Sequence, residues 1–347
     1  MTTDAATGGA TTGFRVPESP APVRRRQPPT FSVCISAYQV APLIGDALAS
    51  LSEQTVAPYE VIVCDDGSTD DLDAALAPFL DRVILVRQEN RGMAGARNSA
   101  MARATGEYVV FLDADDRFEP GRLERLGALA MERPDLDILT TDAHIEVDGC
   151  IVRRYYTETN RFVIDDQRVG ILSSNFLFGL AAVRRSTIVQ AGGFDESVPV
   201  VEDWECWMRL ILDGARVGLV DEPLAVYRVR SGSGSSDRTR LMQGRLDVLG
   251  RALARTDLSE RERRVAGDAY AFASRMLVLA DAHRALADEA PDARARSLRI
   301  VTGRGFTLQG RAKALFGVIA PRAAGARLRI RRDQLSKDPA AMLSERE

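Results

Sequence analysis

The stretch Tyr108–Asp116, YVVFLDADD, decides the fold of this chain. Its apolar first part, Tyr108–Leu112, is typical of a buried strand. Three carboxylates follow within four residues, those of Asp113, Asp115 and Asp116. Like charges repel and buried carboxylates need partners, so this strand end packs poorly, but it offers the oxygen ligands that Mg²⁺ and Mn²⁺ prefer. Taken alone, the pattern fits a solvated acidic turn or a cation site, and the neighbouring strands decide between them.

Strands alternate with helices around this stretch. Apolar runs predict strands at Phe31–Ser36, Tyr59–Cys64 and Val83–Val86, and apolar residues from Leu43 to Leu51 recur at helical spacing. This alternation indicates an α/β fold, in which helices flank a mostly parallel sheet. Since ligands bind at the carboxyl ends of strands in such sheets, we expect one site where three polar strand ends converge. These ends are Ser36-Ala37-Tyr38, Asp65-Asp66-Gly67 and Asp113-Ala114-Asp115-Asp116.

The pattern changes after the strand predicted at Ile138–Thr141. Asp148-Gly149 separates two strand-like segments, His144–Val147 and Ile151–Tyr156, and is typical of a two-residue hairpin turn. Further along, Glu202-Asp203 begins a helix whose large apolar side chains lie on one face.

The sequence also predicts the bounds of a loop, of the helix that follows it and of two later strands. A loop over Gln88–Gly95 is expected to precede a helix at Ala96–Ala104. Two separate strands, Arg216–Val220 and Leu224–Val229, are expected to end the domain.

Composition and charge limit the possible functions. The chain of 347 residues is long enough for two domains, and its formal net charge of −3 gives no reason to expect a nucleic-acid partner. Its four cysteines lack CxxC spacing, and Cys34 and Cys64 lie in apolar runs, which favours buried thiols in a reducing compartment. No apolar run reaches the roughly 18–20 residues of a membrane span, and no signal peptide is evident. We therefore expect a cytoplasmic protein.

The two ends differ from the middle of the chain. Residues 1–30 have few large apolar side chains, which predicts a disordered leader. Residues 233–347 are predicted to form a helical C-terminal region, in which Arg304–Lys337 holds nine Lys or Arg residues and one acid. Its amphipathic segment Arg311–Arg332 fits either a helix on the inner, anionic membrane surface or an ordinary helix with a charged outer face.

Six short motifs follow one another along the middle of the chain. They are Ser36-Ala37-Tyr38, Asp65-Asp66-Gly67-Ser68-Thr69-Asp70, Gly95-Ala96-Arg97-Asn98, Asp113-Ala114-Asp115-Asp116, Gly192-Gly193-Phe194-Asp195 and Glu202-Asp203-Trp204. This series resembles the family 2 glycosyltransferases, which are inverting enzymes of the Rossmann-like GT-A fold. The resemblance covers residues 31–232. It implies that a sugar is transferred from a nucleotide-sugar donor, expected to be a UDP-sugar, to a hydroxyl of a glycan, lipid-linked or other acceptor.

The resemblance also implies which residues hold the donor. A divalent metal, Mn²⁺ or Mg²⁺, is expected on Asp115 and Asp113 of the DxD motif, because a cation stabilises the charge of a departing nucleoside diphosphate. The residues expected to bind the nucleotide are Ser36, Ala37, Tyr38, Asp65, Asp66, Arg97, Asp113 and Ala114.

The resemblance also implies which residues act on the acceptor. Asp203 matches the general base that takes the proton of the acceptor hydroxyl. Glu202 is expected to orient Asp203 or the acceptor. On chemistry alone, acids at a helix N-terminus are also favoured by the helix dipole. Trp204, Arg228 and Arg230 are candidates for diphosphate or acceptor contacts.

The sequence differs from the family pattern at two positions, and two other functions are possible alternatives to glycosyl transfer. Gln39 stands where many members of the family have Asn. Arg230, two residues past Arg228, stands where many have a His that is available to the metal or the diphosphate. A nucleotidyltransferase also places Asp pairs at strand ends, but it normally carries a Gly-rich phosphate loop with Arg or Lys where this chain has Ala37–Pro42. A binding protein of the same fold without catalysis is the other alternative, against which the intact Asp115 and Asp203 argue.

Overall fold

The computed structural model describes residues 13–17, 27–229 and 237–337. Residues 231–236, whose Gly/Ser-rich sequence predicts a linker, lie outside these residues, as do Arg230 and most of the predicted leader. The strands are β1 Phe14–Arg15, β2 Phe31–Ala37, β3 Glu60–Asp65, β4 Ile84–Arg87, β5 Tyr108–Asp113, β6 Arg117–Phe118, β7 Ile138–Val147, β8 Cys150–Arg154, β9 Ala182–Arg184 and β10 Val217–Val229. The helices are α1 Ile44–Ser52, α2 Leu72–Leu76, α3 Gly92–Met101, α4 Arg122–Glu132, α5 Gln167–Ser173, α6 Arg185–Gln190, α7 Glu202–Leu212, α8 Arg238–Leu253, α9 Glu260–Ala287, α10 Ala293–Thr302, α11 Leu308–Ile319 and α12 Pro321–Lys337.

The described strands form one mixed sheet. Its order is β1-β10-β7-β9-β5-β2-β3-β4, with β6 paired to β10 and β8 paired to β7. Strands β4, β3, β2 and β5 are parallel, β9 is antiparallel between β5 and β7, and β10 is parallel to β7. The main strands on both sides of β9 therefore point the same way and end at one edge. This confirms the predicted α/β fold with a mostly parallel sheet, flanking helices and a helical C-terminal region.

The central strand β5 is buried on both faces. Successive side chains of a strand point to opposite faces of the sheet. Val109 and Phe111 pack in the hydrophobic cluster that α3, α5 and α7 share, while Tyr108, Val110 and Leu112 pack against α1 and α4. All five side chains are at most 1% exposed. The apolar run is therefore a central strand with helices on both faces, as the sequence predicts, and its acidic end lies at the edge of the sheet.

Three boundaries differ from the sequence prediction. Helix α3 begins at Gly92, inside the predicted loop, because the Gly92 N–H donates to the carboxylate of the distant Asp66. Strand β10 is continuous where two strands were predicted, because register shifts against β7 on both sides of Pro223 absorb the irregular residues. Strand β7 likewise joins two predicted segments. The hairpin turn is confirmed, with Asp148 and Gly149 both at positive φ.

Residues within the predicted disordered leader form part of the sheet. Phe14 and Arg15 pair with Val220 and Leu219 of β10, so the leader is structured at this point, and the prediction is wrong there. The pairing depends on residues about two hundred positions away in the sequence, and no local pattern announces it. Helix α5 was also not predicted.

The C-terminal helices pack on each other and on the sheet domain. Helix α9 runs for 28 residues and contacts α8, α10, α12 and α5. A capping box fixes its start, with Ser259 and Glu262 satisfying each other's backbone N–H groups. Arg168 of α5 donates to Glu262 at 2.5 Å and ties the two parts together. Among the described helices, none combines the length and the apolar composition needed to cross a bilayer.

Candidate active site

The ends of three neighbouring strands bring the predicted donor residues together. In the sheet register, Ser36 lies beside Asp113, and Ala37 lies beside Asp65. Tyr38 follows with 49% of its surface exposed. The polar ends of β2, β3 and β5 therefore share one edge of the sheet, where parallel-strand folds bind ligands.

Asp66 lies just beyond β3 and is only 2% exposed. Its Oδ1 accepts from the backbone N–H of Arg91 at 2.8 Å and from Nε2 of Gln88 at 2.6 Å, while its Oδ2 accepts from the N–H of Gly92 at 2.9 Å. An acid at this place caps α3 and is favoured by the helix dipole. Asp66 thus fixes the loop before α3.

Gln39 links the loops that follow β2 and β3. Its amide Nε2 donates to Oγ1 of Thr69 at 2.8 Å, and its Oε1 accepts from the N–H of Asp70 at 3.1 Å. Its backbone N–H donates to Oγ of Ser68 at 3.2 Å, with Gln39 at a φ of 54°. The residue that departs from the family pattern therefore holds the predicted nucleotide loops against each other.

Arg97 of α3 is the centre of the site. It is 5% exposed, and its guanidinium donates to Oδ1 of Asp113 and to Oε1 of Glu202, each at 2.9 Å. The cation also lies 5.3 Å above the ring of Phe194. Burial lowers the pKa of Arg97, but the adjoining carboxylates outweigh this and hold the pKa above its usual range. A permanently charged Arg97 thus joins the end of β5 to the start of α7.

Asp203 lies in the first turn of α7, directly after Glu202, which forms an ion pair with Arg97. Its Oδ2 accepts from Nδ2 of Asn175 at 3.1 Å, and its Oδ1 accepts from the backbone N–H of Trp204 at 2.7 Å. Burial raises the pKa of the Asp203 carboxyl, and Arg97 opposes this in part. The pKa of Glu202 is raised for the same reason and is opposed by the same arginine. Asp203 is therefore a better proton acceptor than an exposed aspartate.

The acidic turn after β5 contains a buried carboxylate, that of Asp116, with one unpartnered oxygen in the described part of the chain. Oδ1 of the buried Asp116 accepts from the backbone N–H of Arg228 at 2.9 Å, whereas its Oδ2 has no hydrogen-bond partner among the described residues. Burial and the carboxylates of Asp115 and Asp113 raise the pKa of Asp116. An orphaned oxygen beside further carboxylates fits a hard divalent cation. However, no three His, Cys, Asp or Glu side chains in the described chain already surround one point as a metal site.

The remaining predicted residues are spread around the site. Trp204 is 2% exposed, and its Nε1 donates to the carbonyl of Ile171. The guanidinium of Arg228 donates to Glu146 at 3.0 Å and to Asp46 at 2.7 Å. These hydrogen bonds attach the two side chains to other parts of the fold.

Sequence reasoning did not single out Asn175 or the role of Phe194. Asn175 lies in an irregular segment before β9, and only the fold brings its amide to Asp203. Phe194 belongs to a motif that the sequence does show, but its packing under Arg97 requires the tertiary structure.

Comparison with known proteins assigns this chain to a family. The family model described as "Glycosyl transferase family 2" matches residues 32–190. The chain is 30% identical over 215 residues to the putative teichuronic acid biosynthesis glycosyltransferase TuaG of Bacillus subtilis, covering 60% of this chain and 83% of the relative. It is 33% identical over 259 residues to the succinoglycan biosynthesis protein ExoU of Rhizobium meliloti, covering 68% and 74%.

Solved structures show the same fold. S. aureus TarS in complex with UDP-GlcNAc aligns with a TM-score of 0.57 and 19% identity, covering 86% of this chain and 89% of that one. The mannosyltransferase PcManGT from Pyrobaculum calidifontis, in complex with GDP-Man and Mn²⁺, aligns with a TM-score of 0.56 and 22% identity, covering 87% of each chain.

The GT-A fold and these relatives define a glycosyltransferase. The chain belongs to glycosyl transferase family 2. This confirms the resemblance seen in the six motifs and sets aside the nucleotidyltransferase alternative.

Proposed function

We propose that this glycosyltransferase is metal-dependent and inverting, and that it moves a sugar from a UDP-sugar to a hydroxyl of a glycan or lipid-linked acceptor. The observation that carries the proposal is the position of Arg97. It joins Asp113, at the strand end expected to hold the donor, to Glu202, beside the acid expected to activate the acceptor. The two halves of a transfer reaction thus lie on two sides of one buried guanidinium.

On the donor side, Asp115 and Asp113 are the proposed metal ligands. When bound, Mn²⁺ or Mg²⁺ stabilises the negative charge of the leaving nucleoside diphosphate. Arg97 holds Asp113 through one oxygen, so we expect few protein ligands and a contribution from the donor's own phosphates. A UDP-GlcNAc complex and a GDP-Man complex with Mn²⁺ among the structural neighbours support a nucleotide-sugar donor.

On the acceptor side, Asp203 is the proposed general base. It takes the proton of the acceptor hydroxyl while that oxygen bonds to the anomeric carbon and the bond to the nucleoside diphosphate breaks on the opposite face. A single displacement of this kind inverts the anomeric configuration. Asn175 fixes the direction of the carboxylate, and its raised pKa favours proton uptake. Glu202 acts through Arg97 as a positioning residue.

We further propose that residues 31–232 are the catalytic domain, that the protein works in the cytoplasm, and that α11 and α12 touch an anionic membrane surface. Leu315 and Ile319 of α11 are 44% and 69% exposed, and Lys313 and Arg322 lie close to them in sequence. Leu315→Gln with Ile319→Gln should reduce binding to vesicles that contain phosphatidylglycerol. Equal vesicle binding by this variant and the wild type would end the membrane part of the proposal.

Donor hydrolysis tests the proposal without knowledge of the acceptor. UDP-, GDP- and dTDP-sugars are incubated with the full-length protein and Mn²⁺, Mg²⁺ or EDTA, and nucleotide release is measured. We expect release from one donor class, with a divalent metal only. If no donor is hydrolysed and calorimetry detects no UDP binding with Mn²⁺, the proposal fails.

A further inference from the structure

A cavity of about 370 Å³ lies where α7 meets the C-terminal helices α8 and α9. Trp204 lines it from α7, Arg245 from α8, and Asp268 and Phe272 from α9. Its volume is within the range of small-molecule sites, about 300–1,000 Å³. The charge of Asp203 acts on Arg245 of this lining, so the α7–α9 cavity lies near the acceptor side of the site.

Arg245 brings a positive charge into this cavity. Its Nε is buried and has no hydrogen-bond partner among the described residues, and its guanidinium carbon lies 5.6 Å from the centre of the Trp204 ring. Asp203 is the acid that acts on it most strongly, but both Asp203 oxygens already accept hydrogen bonds, from Asn175 and from the Trp204 backbone. Arg245 is partly exposed, but burial of its Nε–H group without a partner is unfavourable. The arrangement therefore favours an anionic partner from outside the chain.

The remaining lining suits a saccharide. Phe272 is 50% exposed and presents an aromatic ring at the cavity, where the apolar face of a sugar packs well. The carboxylate of Asp268 accepts hydrogen bonds, and the hydroxyl of Ser173 donates or accepts them, as sugar hydroxyls require. Small-molecule sites commonly combine an apolar lining with a few polar groups in this way.

We propose that the α7–α9 cavity binds the acceptor through an oxyanion, a phosphate or a uronic-acid carboxylate, which pairs with the guanidinium of Arg245. The adjoining sugar packs on Phe272. This inference rests on the proposed function, because it takes Asp203 as the base that the acceptor must reach. It makes the C-terminal helical region part of the substrate site and selects anionic acceptors over neutral ones.

Tryptophan fluorescence of the full-length protein tests this inference directly. The chain has two tryptophans, of which Trp204 lines the cavity and Trp207 is fully buried in the core. Inorganic phosphate and D-glucuronate are titrated separately at constant ionic strength. EDTA is present, so that no cation attracts anions to the acidic strand ends. We expect a saturable change in emission with at least one of the two, and that one identifies the acceptor's anionic group.

Variants of α8 assign the signal to Arg245. Arg245→Gln should weaken the binding at least tenfold, whereas Arg240→Gln, an exposed arginine on the same helix, should bind as the wild type does. Arg245→Lys keeps the charge without the two-pronged guanidinium and should bind several-fold more weakly, which provides a second test if the glutamine variant is unstable. Saturation that Arg245→Gln leaves unchanged, or no saturable response to either anion, would overturn the inference.

Donor hydrolysis by the wild type, measured in parallel, separates the two proposals. A protein that hydrolyses its donor but shows no Arg245-dependent anion binding contradicts only this inference. A protein that hydrolyses no donor and binds no nucleotide contradicts the proposed function itself.

Discussion

The two sides of the site each bury one polar atom without a partner among the described residues, and these two atoms belong to groups of opposite charge. At the strand ends, Oδ2 of the buried Asp116 has no hydrogen-bond partner among the described residues, and burial together with the carboxylates of Asp115 and Asp113 raises the pKa of Asp116. At the junction of α7 and the C-terminal helices, the buried Nε of Arg245 has no partner among the described residues.

This difference shows what each side lacks. A buried carboxylate oxygen without a partner is stabilised by a cation, and a buried guanidinium N–H without a partner is stabilised by an anion. A metal-bound donor and an anionic acceptor would supply both.

The largest effect is expected from Asp203→Asn. Amide and carboxylate have nearly the same shape, but the amide does not accept a proton, so donor hydrolysis should fall by about 10²–10⁴-fold. Donor binding, measured by calorimetry, should stay within twofold. The matched control is Asp213→Asn, at the other end of the same helix. Hydrolysis above a tenth of the wild-type rate would exclude Asp203 as the base.

The next effect is expected from Asp115→Ala on the donor side. A metal contributes several kcal/mol to stabilising transition-state charge, so activity should fall by about 100-fold or more. In calorimetry, the gain in UDP affinity that Mn²⁺ gives over EDTA should disappear. The exposed acid variant Asp81→Ala serves as the control. An undiminished Mn²⁺ effect would place the metal elsewhere.

Arg97→Met should lower the free energy of unfolding by about 3–5 kcal/mol, because it leaves two partly buried carboxylates without their shared cation. Denaturant unfolding measures this. Arg103→Met, an exposed arginine two residues past the end of α3, should change it by less than about 0.5 kcal/mol. Similar losses in the two variants would show that Arg97 does not hold the two sides together.

The pH profile of hydrolysis should have an acidic limb set by Asp203. Only the deprotonated carboxylate accepts a proton, so the rate should fall about tenfold per pH unit below its pKa. Burial raises this pKa, and the limb should therefore lie above the usual aspartate value of about 3.9. A limb at or below that value would mean that Asp203 is exposed to water or is not the base.

The smallest effect is expected in the C-terminal region. Ser259→Ala removes the capping box of α9 and should cost about 1 kcal/mol of stability, visible as a lower Tm. An unchanged Tm would show that the packing of α9 alone fixes its start.

Local patterns in the sequence predicted most of the main elements but not their long-range partners. The apolar run of β5 and its acidic end are visible because burial and strand period act over adjacent residues. The start of α3 was missed because its cap, Asp66, lies 26 residues earlier. The pairing of Arg97 with Glu202 joins residues 105 positions apart.

The acceptor side was the least predictable part of the site. Arg245 lies in an Arg-rich helical stretch where many arginines are solvated, and nothing local distinguishes it from Arg240. Only the packing of α8 on α7 sets its guanidinium over Trp204. Asn175 is similar, because an irregular segment has no period from which its direction can be read.

The stereochemistry of hydrolysis tests the central claim most directly. Proton NMR, recorded before the released sugar equilibrates, identifies the anomer that forms when water replaces the acceptor. A single displacement assisted by Asp203 predicts the configuration opposite to that of the donor, so an α-linked UDP-sugar should give the β-sugar first. Initial release of the α-sugar would contradict the account.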